Sequence, residues 1–355
     1  MTADNQRRHT IYDLSKKLGI HASTISVVLN GTWQKRRISA DTAKLILDHA
    51  DEINFMPNRQ AQGLRKATSR MVGLMIPSHD SRFFASIAQA FETQVRRQLK
   101  CPIVVSAGRD AERELETART LISYAVEALV VCGARNPDGI HDACKAVGLP
   151  HINVDLPGSK AASVVSDNFD GGTSLTDAIV SSLQRRLAEP ADVHFFGGEV
   201  NAATEDRVKG FKTIIKKATG KAPPESTIHL TGYDAQSSQA AFERHFAQHG
   251  RIPAGLFING PGNYEGFLRF AASVSIDPAT ITIGCFDFDP LASFSVFETW
   301  MIKQDADGMI IKAFELLDKP EKNPKVYYIK PELVPPQLGG SQRQSTPTLP
   351  SERLR

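Results

Sequence analysis

The sequence predicts two kinds of fold in one chain: an all-α helix-turn-helix headpiece, then a two-lobed α/β body built on two doubly wound parallel sheets. Three observations carry this. Residues 10–56 hold three short amphipathic helical patterns. From Met71 onward, short apolar runs alternate with helical patterns, the signature of βαβ units and a parallel sheet. The runs number about ten, which suits two doubly wound sheets better than one.

The elements follow in order. Thr10 can cap a helix whose apolar face is Ile11, Leu14 and Leu18, ended by Gly19. A second helix sets Ile25, Val28 and Leu29 on one face and stops at Asn30-Gly31. A third, capped by Ser39 or Asp41, carries Ala43, Ile46, Ala50 and Ile53, and Pro57 closes the segment. Residues 58–68 are polar and basic around one large apolar residue, Leu64. Such a helix is marginal alone in water, and Gly63 weakens it further, so the segment is expected to act as a hinge. Strands are then expected at 71–77, 102–108, 128–134, 151–157, 193–199, 227–233, 254–260, 281–288 and 325–330, with helices between them. The tail from Pro335 is rich in Pro, Gly and Ser and is expected to be disordered. It has no apolar heptads of the kind a tetramerising coiled coil needs. The expected divisions are a three-helix segment over 1–56, a hinge over 57–69, a two-lobed body over 70–335 and a tail over 336–355.

Composition narrows the function. Of 355 residues, 41% are hydrophobic and 23% charged, as in an ordinary soluble protein. No apolar run approaches the ~18 residues of a membrane span, and the N-terminus lacks a secretory apolar stretch, so a cytoplasmic protein with no membrane partner is expected. Cys101, Cys132, Cys144 and Cys285 are scattered, with no CxxC pair and no clustered His, so neither a disulfide framework nor a structural zinc site is expected. Charge is uneven. Residues 1–70 carry twelve Lys/Arg against six Asp/Glu, a net +6, so the other 285 residues carry −3 of the total +3. A basic module on a mildly acidic body is the charge asymmetry of a nucleic-acid binder.

Two helices joined by a short turn containing Gly make a helix-turn-helix, which presents its second helix to the major groove. The run TIYDLSKKLGIHASTISVVLNG at 10–31, the IS-x-x-T at 38–42 and NFMPNRQAQGLRK at 54–66 are more specific than that. Through Asp13, Gly19, Thr24, Ser26, Asn30, Pro57, Asn58, Ala61 and Leu64 they strongly resemble the headpiece of the LacI/GalR family of bacterial transcription regulators. The resemblance extends over essentially all of residues 10–335. It implies that Ala22, Ser23 and Val27 face base edges from the recognition helix. It suits Thr10, Thr24, Ser26 and Asn30 to phosphate or groove contact, and makes Leu64 the apolar wedge inserted into the minor groove, with Arg65 beside it. Val27 departs from the Arg or His that many members carry. Lys35, Arg36 and Arg37 are expected at phosphates.

The family's body is similar to periplasmic sugar-binding proteins, which hold a ligand between their lobes at the carboxyl ends of strands. The implied effector residues here are Ser78 and Phe84 in the first βα loop, Asp155, Arg207, Asn259 and Asp287. Asp167-Asn168 with Gly171-Gly172 resembles the family's DN-x-x-GG segment. Carboxylates accept from hydroxyls, Arg donates in a fixed fork, and Phe84 and Phe286 could stack on a sugar face. Two places depart: Asn259-Gly260 replaces Asn-Asp, and Cys285-Phe286-Asp287-Phe288-Asp289 replaces Gly-x-Asp-Asp. The expected effector is therefore a sugar or a sugar phosphate, and the expected partners are a pseudo-palindromic double-stranded DNA operator and a second copy of the chain. No nucleophile triad, metal spacing, GxGxxG or Walker loop stands out, so neither an enzyme nor a cofactor is expected.

Overall fold

The computed structural model describes residues 9–56, 68–186, 192–321 and 323–336. The chain divides into two compact units, Met1–Ser69 and Arg70–Arg355.

In the first unit, α1 (Ile11–Leu18), α2 (Ala22–Leu29) and α3 (Ala40–Glu52) pack around Leu14, Ile25, Val28, Ala43 and Ile46. Thr10 starts α1 with a reciprocal capping box: its Oγ1 accepts from the Asp13 amide, and the Asp13 carboxylate accepts from the Thr10 amide at 2.7 Å. Gly19 closes α1 at φ +66°, a left-handed conformation in which glycine carries no steric cost. Ser39 caps α3. The hinge residues 57–67, including Leu64 and Arg65, lie outside the described residues, as does the tail from 337.

The second unit is two doubly wound lobes. The first is built from β1 (Met71–Ile76), α4 (Arg82–Arg97), β2 (Cys101–Ser106), α5 (Ala111–Ser123), β3 (Leu129–Cys132), α6 (Pro137–Ala146), β4 (His151–Val154) and β5 (Ser163–Ser166). The second holds α7 (Asn168–Arg186), β6 (Val193–Phe196), α8 (Ala202–Thr219), β7 (Ile228–His229), α9 (Ala235–His249), β8 (Gly255–Ile258), α10 (Pro261–Ser273), β9 (Thr282–Phe286) and β10 (Glu298–Lys303). The chain then returns to the first lobe as α11 (Ala306–Asp318) and β11 (Val326–Ile329), and ends in the second as β12 (Glu332–Val334). The strand orders are β2-β1-β3-β4-β5-β11 and β7-β6-β8-β9-β10-β12, one topology used twice. Pairing is parallel except between β10 and β12. In β1, Val72, Leu74 and Ile76 face one helical layer while Met71 and Met75 face the other. Sheets covered on both sides read as continuous apolar runs, which is why these strands were visible in the sequence.

Four elements were not expected from the sequence: β5, α7, β10 and β12. The α7 segment NFDGGTSLTDAIVSSLQRR has two adjacent glycines in its first turns, which lowers its helical propensity. Packing decides it instead. A Cβ on Gly172 would lie 2.7 Å from the Arg207 carbonyl oxygen, and one on Gly210 would lie 2.7 Å from the Thr173 amide nitrogen. The glycines let α7 and α8 approach backbone to backbone.

Candidate functional site

A cavity of about 860 Å³ lies between the lobes, at the carboxyl ends of their strands. That is the place a doubly wound sheet offers a ligand, because strand ends and helix starts leave polar backbone and loop side chains there. Asp155 follows β4 and Asp287 follows β9, the corresponding central strands of the two sheets. Both carry a left-handed backbone, at φ 73° and 72°. Non-glycine residues held in this region cost energy and gather at functional positions. Here the conformation is repeated at equivalent positions of both lobes, each time on a carboxylate lining the cavity.

Arg207 enters from α8 and is 4% exposed. Its Nε donates to Asn168 Oδ1 at 2.8 Å, and its Nη1 donates to the Asn259 carbonyl at 3.1 Å and to Asn259 Oδ1 at 3.2 Å. The guanidinium lies over the Phe286 ring, 3.6 Å from its centroid. Nη2 has no acceptor among the described residues, so the fork is held on one side and open on the other. Burial pushes the Asp155 carboxyl up to about 6, against the pull of Arg207 and Arg109, while Asp287 pushes it further the same way. Asp287 is also raised, by burial, although Arg207 and a hydrogen bond from Gln304 oppose this. Gln304 Oε1 is buried on the cavity wall with no donor among the described residues.

Ser78, Phe84, Asp155, Arg207 and Asp287 all line the cavity. Asn259 does not, and the expectation that it touches the effector is corrected. It is fully buried behind Arg207 and acts as that side chain's acceptor, with its own Nδ2 donated to Thr204 at 3.3 Å. Phe286 is corrected likewise: it is fully buried and serves as the platform under Arg207, not as a sugar-stacking face. The DN-x-x-GG segment also acts through Arg207, since Asn168 holds its Nε and Gly171 leaves room for Phe286, whose ring would be 2.9 Å from an added Cβ. Sequence reasoning missed Arg109, Tyr233 and Gln304. Arg109 stands over the Tyr233 ring at 4.4 Å and near Phe84 at 5.7 Å, spanning the lobes. A polar residue just past a strand end was the available signal for Arg109. Tyr233 offered a similar signal, since it closes the strand expected at 227–233, although β7 itself is only Ile228–His229.

The cavity wall carries seven carboxylates (Asp80, Asp155, Glu199, Asp234, Glu265, Asp287, Asp289) against three arginines (Arg82, Arg109, Arg207). Two of these acids join the lobes: Arg82 Nε pairs with Asp289 at 3.2 Å, and Glu199 pairs with Arg135. Asp289, displaced from the usual carboxylate position, is thus an interlobe contact.

In the headpiece, Ser23 is exposed, while Ala22, Thr24, Ser26 and Val27 are half-buried on α2 beside the buried Ile25 and Val28. Asn30 donates to the Ser26 carbonyl at 2.7 Å and to Ser26 Oγ at 3.3 Å, closing the helix end. Ser23 Oγ lies 3.0 Å from His21 Nδ1. Lys35, Arg36 and Arg37 are exposed and form no ion pair among the described residues.

The profile of periplasmic binding proteins and the sugar binding domain of the LacI family matches residues 69–259. The chain belongs to the LacI family. Among LacI-family relatives it is 40% identical over 216 residues to the ribitol operon repressor of Klebsiella aerogenes, covering 61% of this chain and 80% of that one. It is 25% identical over 316 residues to the sucrose operon repressor of Klebsiella pneumoniae, covering 88% and 92%. The crystal structure of the Lac repressor dimer bound to operator and the anti-inducer ONPF has the same fold, with a TM-score of 0.77, 17% identity, and coverage of 94% of this chain and all of that one. Among the described residues, no helix is long and apolar enough to cross a membrane.

Proposed function

We propose that this LacI-family chain is a cytoplasmic, homodimeric, sequence-specific DNA-binding repressor of a carbohydrate operon, released or recruited by a neutral polyol or sugar in the Arg207 cleft. The single observation that carries the ligand class is the half-held guanidinium of Arg207 beside two cavity-wall carboxylates, the buried Asp155 and the half-buried Asp287, one from each lobe. Adjacent hydroxyls on a carbon chain can accept from Nη2 and donate to Asp155 and Asp287 at once, which pulls the lobes together. The excess of carboxylates on the wall argues against a sugar phosphate: a dianion would meet more negative than positive charge in a partly desolvated site. The 40% identical relative is named for ribitol, a neutral linear pentitol, so pentitols head the candidates.

DNA binding is assigned to residues 1–56, with Ala22, Ser23 and Val27 at base edges and Thr10, Thr24, Ser26 and Asn30 at phosphates or the groove. Small side chains suit apolar contact with thymine methyls. Residues 57–69 form the hinge, with Leu64 wedged into the minor groove and Arg65 beside it. Residues 70–335 bind effector and dimerise, and 336–355 form a tail. Two headpieces then read two half-sites related by the dimer axis.

The test is a thermal-shift panel of ribitol, other pentitols, hexoses and sugar phosphates on the full chain. Gel shifts on promoter fragments, with and without the hits, complete it. A neutral polyol or sugar that stabilises the protein and changes affinity for one fragment over random competitor is expected. Stabilisation by phosphates alone, or no fragment preference, overturns the reading.

A further inference from the structure

On the far edge of the second sheet, the topology gathers three histidines that lie far apart in sequence. His194 lies on β6, His229 on the edge strand β7, and His245 on α9. β6 and β7 pair with Phe196 opposite His229, so His194 and His229 are near neighbours on adjacent strands, and α9 lays His245 across them. One ring nitrogen from each lies within 4.8 Å of the other two. Tetrahedral zinc with Zn–N bonds of 2.0–2.1 Å needs nitrogens about 3.4 Å apart. His194 Nδ1 and His229 Nε2 already stand at 3.0 Å, so a small rotamer adjustment completes the set.

We propose that His194, His229 and His245 form a binding site for one divalent transition-metal ion of the zinc class. Three features beyond proximity support it. First, His194 is oriented as a ligand should be. Its Nε2 donates to Asp192 Oδ1 at 2.9 Å, which leaves the Nδ1 lone pair facing the other two rings. Asp192 is itself held by Arg251 at 3.1 Å. Second, His245 is only 6% exposed, yet it makes ring contacts and no hydrogen bond among the described residues. No group among the described residues engages its ring nitrogens, which leaves them available to an ion. Third, the rings are braced by apolar packing: Phe196 stacks on His229 at 4.3 Å, and His245 meets His194 and His229 edge-on. A water takes the fourth position, as at other three-histidine zinc sites. Imidazole donors without thiolate suit Zn²⁺, Ni²⁺ or Cu²⁺ over Mg²⁺ or Ca²⁺. Binding needs no net proton release, because the proton that His229 Nε2 shares with His194 moves to His229 Nδ1 by tautomer exchange through solvent. The ion would fasten both ends of the segment from His229 to His245, which carries Tyr233 and Asp234 to the cavity wall.

The experiment uses tag-free, EDTA-stripped full-length protein titrated with Zn²⁺ by calorimetry and with Co²⁺ by visible absorption. One ion per chain and a tetrahedral Co²⁺ band displaced by Zn²⁺ are expected. His229→Gln and His245→Gln are each expected to weaken binding at least tenfold, while His141→Gln, in the separate His141–His151 pair, leaves it unchanged. Melting in EDTA checks that the variants fold, and the Co²⁺ spectrum of the unmutated chain stands even where they do not. No stoichiometric binding, or equal affinity in the folded variants, overturns the site.

Discussion

Asp155 sets the cost of the cleft in the absence of ligand. Its folded pKa of about 6 lies above the ordinary 3.8, so between those values the folded protein holds a proton that the unfolded chain releases. That contribution favours the folded state below about pH 4 and is lost as pH rises through 6. Asp155→Asn is therefore expected to stabilise the unliganded protein by about 1–3 kcal/mol at pH 7, with the difference from wild type shrinking to nothing near pH 4. His229 and His245, depressed to about 4, act with the opposite sign. The measurement is thus the variant-minus-parent difference in denaturant midpoint across pH. A destabilised variant at pH 7 counts against the assignment. Arg207→Lys keeps the charge but loses the fork that Asn168 and Asn259 grip. It is expected to abolish the effector's thermal shift while leaving operator affinity without effector within about twofold in gel shifts.

Helix contacts position that arginine. An alanine at Gly172 puts a methyl 2.7 Å from the backbone oxygen of Arg207, where no flexible side chain can give way. Gly172→Ala should cost about 1–3 kcal/mol in chemical denaturation, as overpacking does. It should also weaken effector binding by tenfold or more, because α8 and its guanidinium must shift. A stable variant with unchanged effector affinity would show that the close approach of α7 and α8 is incidental. The hinge makes the complementary prediction. Leu64→Ala is expected to lower operator affinity more than tenfold and to leave the effector's thermal shift intact, since the wedge role proposed for Leu64 acts only on DNA.

Across the whole molecule, the effector unit has two lobes of one topology, joined where the chain passes from one to the other and bridged by Arg82–Asp289 and Arg135–Glu199. Each pair is partly exposed and so contributes little by itself. Glu199→Gln combined with Asp289→Asn is expected to enlarge the ligand-free effector unit in small-angle scattering and to weaken effector binding a few-fold, with saturating effector restoring the compact form. An unchanged scattering curve would mean that the bridges do not hold the lobes. Operator affinity should fall steeply with salt, because exposed Lys35, Arg36 and Arg37 have no acidic partner among the described residues and stand ready for phosphates.

The amino-acid sequence determined the headpiece helices, the cap at Thr10, most strands and the family, and left the third helix's cap open between Ser39 and Asp41. These follow from local periodicity, turn residues and short motifs, all of which act within a few residues. It also placed Arg207, Asp155 and Asp287, because each stands in a motif or at the end of an apolar run. Tertiary structure decided the rest. Adjacent glycines in α7 read as a helix breaker until the backbone of α8 lies against them. Asn259 and Phe286 look like ligand contacts until Arg207 is seen between them and the cavity. His194, His229 and His245 are unremarkable singly and meet only because a parallel sheet sets β6 beside β7 and a crossover helix covers both. Contacts between residues tens of positions apart leave no mark on local sequence, since their energy comes from the fold that brings them together.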